Sequence, residues 1–501
     1  MKMNKAHKHT DILITSKHSK AMGEQLLEIL PSGGSILNVV VGACIEDDGS
    51  WPNQFNLATR YLDDGDRAVL FDDYCAPSPD STVRQVFGLQ KYDALCYRGY
   101  CLKDGSPLYL FNVAISVLNL GGFFICLAAM DNRAAHNSPL PPYLNYFCAI
   151  ASRCGFLRHN INLLQSEGAW DHWMIVFQKG SASPRWILTH MKDPGLTGFS
   201  KLFKDSFNSE ANGQVWRWKY GAGRGRAIVA KKGDRLVAHY GSTLRAVSYF
   251  GKSGRALQIC DVMVDPRERG VMTKTGAMFI ATTTFNEIYL GLQNLTIAYG
   301  FPNLRHMALG KRLGLYTELA RMAQVQWPTA PSGPRFLARL CFLEAKDVSK
   351  AHSTDLLWGR MAKDLRDGIG VIRNWDYLNY RYFAHPTNSY TVIGVSSRWT
   401  RRLLGIIVLR RENKSCELVD LIAPLRRIPL LVDQARWIAG RWGCEGLYCW
   451  TTEHDAHRFT REVGIITQTD TVVAMMIWPG ARSIEQLKNK WWLMSGDMEF
   501  R

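Results

Sequence analysis

The stretch ICDVMVDPRERGVMTKTGAMFIATTTFNEIYL, residues 259–290, decides how this chain folds. Apolar residues run as far as Val264, Pro266 ends the run, basic residues and Gly270 fill a turn, and a long segment of helix formers follows. The order is buried strand, loop, helix. A basic, glycine-punctuated loop that enters a helix N-terminus is an anion site. The first N–H groups of the helix have no acceptor within it, and the helix dipole turns its positive end outward.

Upstream, AIVAKKGDRLVAHYGS alternates with period two and predicts a strand pair joined at Lys232-Gly233-Asp234. ALQICDVMV follows as a central strand, and a helix is expected over 276–293. Downstream come strand LTIAYGF and a helix over 304–313, with Gly314 as its C′ glycine. Three blocks in this order, WKYGAGRGRAIVAKKGDRLVAHYG, ICDVMVDPRERG and YGFPNLRHMALGKRLGLY, resemble a GNAT-type acyltransferase domain, placed at residues 196–327. The resemblance implies acetyl-CoA as acyl donor. Backbone groups around Val262 and Val264 would pair with the pantetheine arm. The pyrophosphate would lie on Arg267, Arg269, Gly270, Lys274, Gly276 and Ala277.

Catalysis in such a fold is mostly positioning, with a base taking a proton from the acceptor ammonium and an acid protonating the departing thiolate. Asp261 is the candidate base and Tyr316 the candidate acid; His239 and Asp265 are lesser candidates. Each has a structural alternative: Asp261 facing a neighbouring Arg, Tyr316 in the core, His239 satisfied on its strand.

In the N-terminal third, ILNVVVG (36–42) reads as a strand buried on both faces, followed by a helix from Trp51 to Leu62 capped by Ser50. Strands are expected at RAVLFDD (67–73), YDALCYR (92–98), FFICLAAM (123–130) and HWMIVFQK (172–179), with a helix over 144–154. This order is similar to a class I SAM-dependent methyltransferase, a Rossmann-like sheet over residues 1–185. The resemblance implies S-adenosylmethionine held by Gly42, Asp72 and Asp93; the same fold could equally be an interaction platform.

Trp327 to Pro334 reads as a linker. Beyond it, residues 345–485 again resemble a GNAT-like α/β domain. Helices are expected at 354–367, 429–442 and 454–462, and strands at SYTVIGVSS, RLLGIIVLRR, CELVDLIAP, GLYCWTT and TDTVVAMMIWP. WDYLNYRYFAHP resembles the substrate side of tandem GNAT enzymes, with Trp375, Tyr377 and Tyr380 either lining a cleft or filling the core. APLRRIP (423–429) has no glycine, so its backbone cannot easily wrap a pyrophosphate, and this copy is expected to bind no CoA.

The fold class is therefore α/β, a Rossmann-like methyltransferase-type sheet followed by two GNAT-like mixed α/β domains. A formal charge of +17 favours anionic ligands. No Lys/Arg run carries interleaved aromatics, which argues against nucleic acid. The cysteines form no CxxC and no zinc spacing, so no metal is expected and free thiols in a reducing cytoplasm are. No apolar stretch approaches the roughly 20 residues of a membrane span. The expected activity is N-acetyl transfer to an amine, with a small molecule, an amino sugar, an aminoacyl group and a protein amine all open as acceptor. The rivals are SAM-dependent methyl transfer, alone or as half of a bifunctional modifier, and a non-catalytic scaffold.

Overall fold

The computed structural model describes residues 16–41, 52, 54–62, 87–88, 90–101, 107–131, 141–167, 170–191, 196–269, 273–293, 295–330, 338–460, 463–476 and 482–498. The chain divides into two compact units that alternate along the sequence. The first takes Met1–Glu210, Ala227–Tyr240 and Met263–Asn294; the second takes Ala211–Arg226, Gly241–Val262 and Leu295–Arg501. The divisions expected near 185 and 327 do not coincide with these units.

The first unit opens with α1 (Ser16–Ile29) and strands β1 (Ser35–Val41), β2 (Asn56–Leu62) and β3 (Tyr92–Cys101). Next come α2 (Leu108–Val117), β4 (Leu118–Asp131), α3 (Pro142–Arg153), β5 (Phe156–Glu167) and β6 (Trp170–Lys179). The strand order is β2-β1-β3-β4-β6-β5. The β1–β2, β1–β3 and β3–β4 pairs are parallel, and the hairpin β5–β6 closes the sheet antiparallel. Phe111 of α2 anchors one core, its ring 4.9 Å from Phe147, 5.9 Å from Phe156 and 5.8 Å from Phe177.

The helix expected over 51–62 is corrected here. Asn56–Leu62 is a strand, registered Ser35↔Asn56 to Val41↔Leu62. Its apolar residues mimic a helical face, yet Leu57 and Tyr61 are exposed, because an edge strand need bury little. Tertiary pairing to β1 decides the conformation. The expected strand at 67–73, with Asp72, lies outside the described residues, as do Gly42 and Ser50.

The first unit continues with β7 (Ile187–His190) and α4 (Leu196–Phe207). After α5 (Gly213–Tyr220) come β8 (Gly225–Lys232), β9 (Arg235–Tyr249) and β10 (Lys252–Val264). The expected hairpin at 232–234 is present, with Gly233 at φ 59°. Strands β9 and β10 each pass from one unit into the other. The helix expected over 276–293 is α6 (Ala277–Asn286), which widens into a π-helical turn at Glu287–Leu292.

The second unit then adds β11 (Ile297–Gly300), α7 (Leu304–Arg312), β12 (Tyr316–Pro328), β13 (Ala338–Leu343), α8 (Ala351–Asp364), β14 (Ile369–Val371) and α9 (Trp375–Leu378). After these lie β15 (Thr391–Ser397), β16 (Leu403–Glu412), β17 (Ser415–Ile422), α10 (Ile428–Arg441), β18 (Gly446–Thr452), β19 (Ile465–Met476) and β20 (Trp491–Trp492). The order is β13-β15-β16-β17-β18-β12-β19-β11-β10-β9-β14-β20. The helix expected at 454–462 is a 3-10 turn, Glu453–Phe459. Among the described residues no helix is long and apolar enough to cross a membrane.

Candidate functional site

Strands β10 and β11 pair in parallel from Ala256↔Ile297 to Ile259↔Gly300, and there the pairing stops. A Cβ on Gly300 would lie 3.2 Å from the Ile259 Cβ, so glycine permits the last close approach. Pro302 then denies the ladder a donor. β10 runs on to Val264 without this partner, and residues 259–262 are all half-buried rather than alternating. A wedge opens between the two strands.

Asp261 stands at the mouth of the wedge with φ 49°, a left-handed conformation that an Asp tolerates better than most residues. Its carboxylate accepts from Tyr220 Oη at 2.8 Å and from Lys219 Nζ at 3.1 and 3.2 Å. Cys260 Sγ lies 3.4 Å from the same tyrosine oxygen. Both partners come from the last turn of α5, whose N-terminus is capped by Asn212 accepting from Gln214 N and Val215 N. Gly225 fixes Tyr220: a Cβ there would lie 2.4 Å from Cδ1 of its ring. Lys219 and Tyr220 escaped sequence reasoning. The signal was the run WKYGAGRG, where the glycines mark a ring packed against a strand.

In the first unit β10 leads into a 3-10 turn, Pro266–Glu268, capped by Asp265, which accepts from Arg267 N. Arg267 was expected on a phosphate. Instead its Nε and Nη2 reach Asp265 at 3.0 and 2.8 Å, and Arg235 also pairs with this carboxylate. The Arg267 hydrogen bonds, with Arg235 beside them, hold the Asp265 carboxyl down at about 2, which removes it as a base. Glu268 is buried among Arg185, Arg235 and Lys232. Arg269 donates Nε to the Val264 carbonyl at 2.9 Å. Lys274 is exposed and Gly270 lies outside the described residues. Gly276 is the N-cap of α6, with no side-chain cap, and the first helical bond is Ile280 N to the Gly276 carbonyl at 3.0 Å. The leading N–H groups of α6, beginning at the buried Ala277, have no acceptor within the helix and no side-chain cap.

Tyr316, in the second unit, is 3% exposed. Its ring lies over Gly310 of α7, where a Cβ would clash at 1.9 Å, and its hydroxyl is 3.4 Å from His306 Nε2. Burial pushes His306 down to about 4, so the ring is neutral at pH 7. His306 was not foreseen. His239 is 1% exposed, edge-on to Phe199 at 5.2 Å, a core histidine. Asp93 is corrected as well. It sits at the amino end of β3, where its carboxylate accepts from Ser35 N at 2.9 Å, Ser35 Oγ at 2.8 Å and Asn119 Nδ2 at 2.8 Å. Ligands of open parallel sheets bind at the carboxyl ends, so Asp93 ties strands together.

A second wedge opens in the second unit. β17 and β18 pair in parallel only from Ser415↔Gly446 to Glu417↔Tyr448. The chain's own C-terminal segment fills the gap. Thr452 N donates to the Leu493 carbonyl at 3.1 Å and Ser495 Oγ to the Val419 carbonyl at 3.2 Å. Arg373, fully buried, joins Asp420 at 2.8 Å to Asp497 at 2.5 Å. Tyr382 and Tyr377 donate to Asp420 at 2.6 and 3.2 Å, and Arg381 Nε holds the Gly496 carbonyl at 2.7 Å. Trp375 and Tyr377 are thus core; Tyr380 is half-buried and stacks on Trp218 at 4.8 Å.

Residues 188–302 match the family described as an acetyltransferase (GNAT) domain. No curated protein matches the chain. Among solved structures, a probable N-acyltransferase from Enterococcus faecalis is 15% identical, with TM-score 0.46 over 57% of this chain and 71% of its own. A GCN5-related N-acetyltransferase from Anabaena variabilis is also 15% identical, with TM-score 0.45 over 58% and 72%. One from Kribbella flavida is 13% identical, with TM-score 0.43 over 58% and 70%.

Proposed function

We propose that the chain is an acyl-CoA-dependent N-acyltransferase, with acetyl-CoA as donor and a small-molecule, amino-sugar or aminoacyl amine as acceptor. One observation carries the reading: a strand leaves its parallel partner after Ile259↔Gly300 and leads through a basic loop to a helix start without a side-chain cap. A parallel strand pair that ends early suits the amides of a pantetheine arm, and the leading N–H groups of a helix suit a pyrophosphate. The GNAT match over 188–302 supports it.

On this reading the backbone at Val262 and Val264 holds the arm, and Lys274, Gly276, Ala277 and Arg269 receive the phosphates, with Gly270 in the same loop. Arg267 shapes the loop through Asp265. The donor supplies an activated thioester carbon. Asp261 takes the proton of the acceptor ammonium, its carboxylate held by Tyr220 and Lys219. Tyr316 is the acid, its hydroxyl oriented by His306. Calorimetry with acetyl-CoA tests the reading, on the wild type and on Arg269→Ala/Lys274→Ala. Binding that weakens in the double variant supports it; a wild type that binds nothing sinks it.

A specific observation favours a second reading beside the first. The order β2-β1-β3 reverses direction at β1, and such a switch point is where open parallel sheets take ligands, here S-adenosylmethionine. Titration with labelled S-adenosylmethionine tests this independently of acetyl-CoA.

A further inference from the structure

Away from the wedges, the second unit holds a cavity of about 290 Å³ between one face of α8 and strands β13, β15 and the start of β16. That is close to the lower size of small-molecule pockets, about 300 Å³. Four of its lining residues are cations: Lys350, Arg360, Arg401 and Arg402. None of its lining residues is acidic. Among the described residues no carboxylate forms an ion pair with any of the four. Gathering four like charges around a small cavity raises a positive potential that an anion would relieve.

The polar lining fits the same ligand. Ser353 and Ser396 add hydroxyl groups, and Lys350 is the N-cap of α8, so the positive end of that helix faces the same cavity. Arg401 is held at φ 55° in the turn between β15 and β16, with Arg401 N bonded to the Ser397 carbonyl at 3.0 Å. The floor is apolar: Leu343, Leu356 and Leu403 line it, and Gly394 keeps it open, since a Cβ there would lie 3.3 Å from Leu403 Cδ1.

The geometry points to a binding site for a phosphate monoester with an apolar body, its phosphate among the four cations and its body on the leucine floor. Free metabolites and phosphatidic acid headgroups share this chemistry, and an experiment separates them. Hexyl phosphate is titrated calorimetrically into the full chain carrying Arg269→Ala/Lys274→Ala, so that the loop before α6 does not contribute. The expected result is binding that hexanol does not reproduce and that Arg360→Gln/Arg402→Gln weakens about tenfold or more. Co-sedimentation with phosphatidylcholine vesicles containing phosphatidic acid, lost in the same variant, assigns the headgroup as source. Its absence beside hexyl phosphate binding assigns a soluble ester. No binding of hexyl phosphate, or equal binding by the variant, overturns the site. None of these outcomes bears on acetyl-CoA.

Discussion

The two wedges of this molecule begin alike and end differently. After β10, Asp265 (φ −50°, ψ 128°) leads into the 3-10 turn Pro266–Glu268; after β17, Pro424 (φ −51°, ψ 136°) leads into the 3-10 turn Leu425–Arg427. From there the first path takes a loop before α6 begins at Ala277, whereas the second enters α10 at once at Ile428. Both turns bond back to their cap carbonyl, Glu268 N to Asp265 at 2.9 Å and Arg427 N to Pro424 at 2.8 Å, but only in the second does the helix follow without a break. In the first, the helix start stands apart from the turn. The gap between β17 and β18 is closed by residues 493–497, whereas the pairing of β10 with β11 ends at Ile259↔Gly300. A few residues of loop separate the strand pair proposed to receive a ligand from one that is part of the core.

Breaking the plug has the largest expected effect. Arg373→Met leaves Asp420 and Asp497 buried without their cation, and should cost about 3–5 kcal/mol in denaturant unfolding. The first wedge responds in rate instead. Asp261→Asn should lower kcat about 100- to 1,000-fold with acetyl-CoA affinity kept, read in an acetyl-transfer assay. A fall in affinity with kcat unchanged would make Asp261 a binding residue only. The sharpest contrast is between the two loops: Arg269→Ala/Lys274→Ala should weaken acetyl-CoA about 10- to 100-fold in calorimetry, whereas Arg426→Ala/Arg427→Ala should not. Equal losses would erase the distinction drawn between the wedges.

The smallest effect is in pH. Asp265 titrates at about 2 in the fold against 3.8 ordinarily, so its stabilisation is complete above pH 4 and is lost as pH falls toward 2. The amount is about 2 kcal/mol at most. Asp265→Asn should abolish this part of the acid limb in a pH series of thermal melts; the second wedge has Pro424 at this place and no such carboxylate.

Legibility followed the range of the interactions. The hairpin at Gly233, the strand ending at Val264 and the C′ glycine Gly314, at φ 71°, are set by neighbours in sequence and were readable. The place of Asp261 on the central strand was also readable. Its partners Lys219 and Tyr220 lie some 40 residues away and depend on Gly225 making room, which a period of apolar residues does not encode. Arg267 misled for a related reason: a basic residue in an anion loop looks free until Asp265, two residues away, is seen to hold it. The edge strand β2 was misread because its partner β1 supplies the order that its own residues do not.

Strands β9 and β10 pass through both units, and the chain changes unit after residues 210, 226, 240, 262 and 294. Neither unit is therefore a cassette. No single cut separates one from the other, and a gene fragment ending between 211 and 293 leaves both incomplete. For inheritance this means that the halves travel together: recombination can exchange the flanks but not the interleaved middle. β10, which leads into the loop before α6, belongs to both units and cannot be exchanged with either one alone.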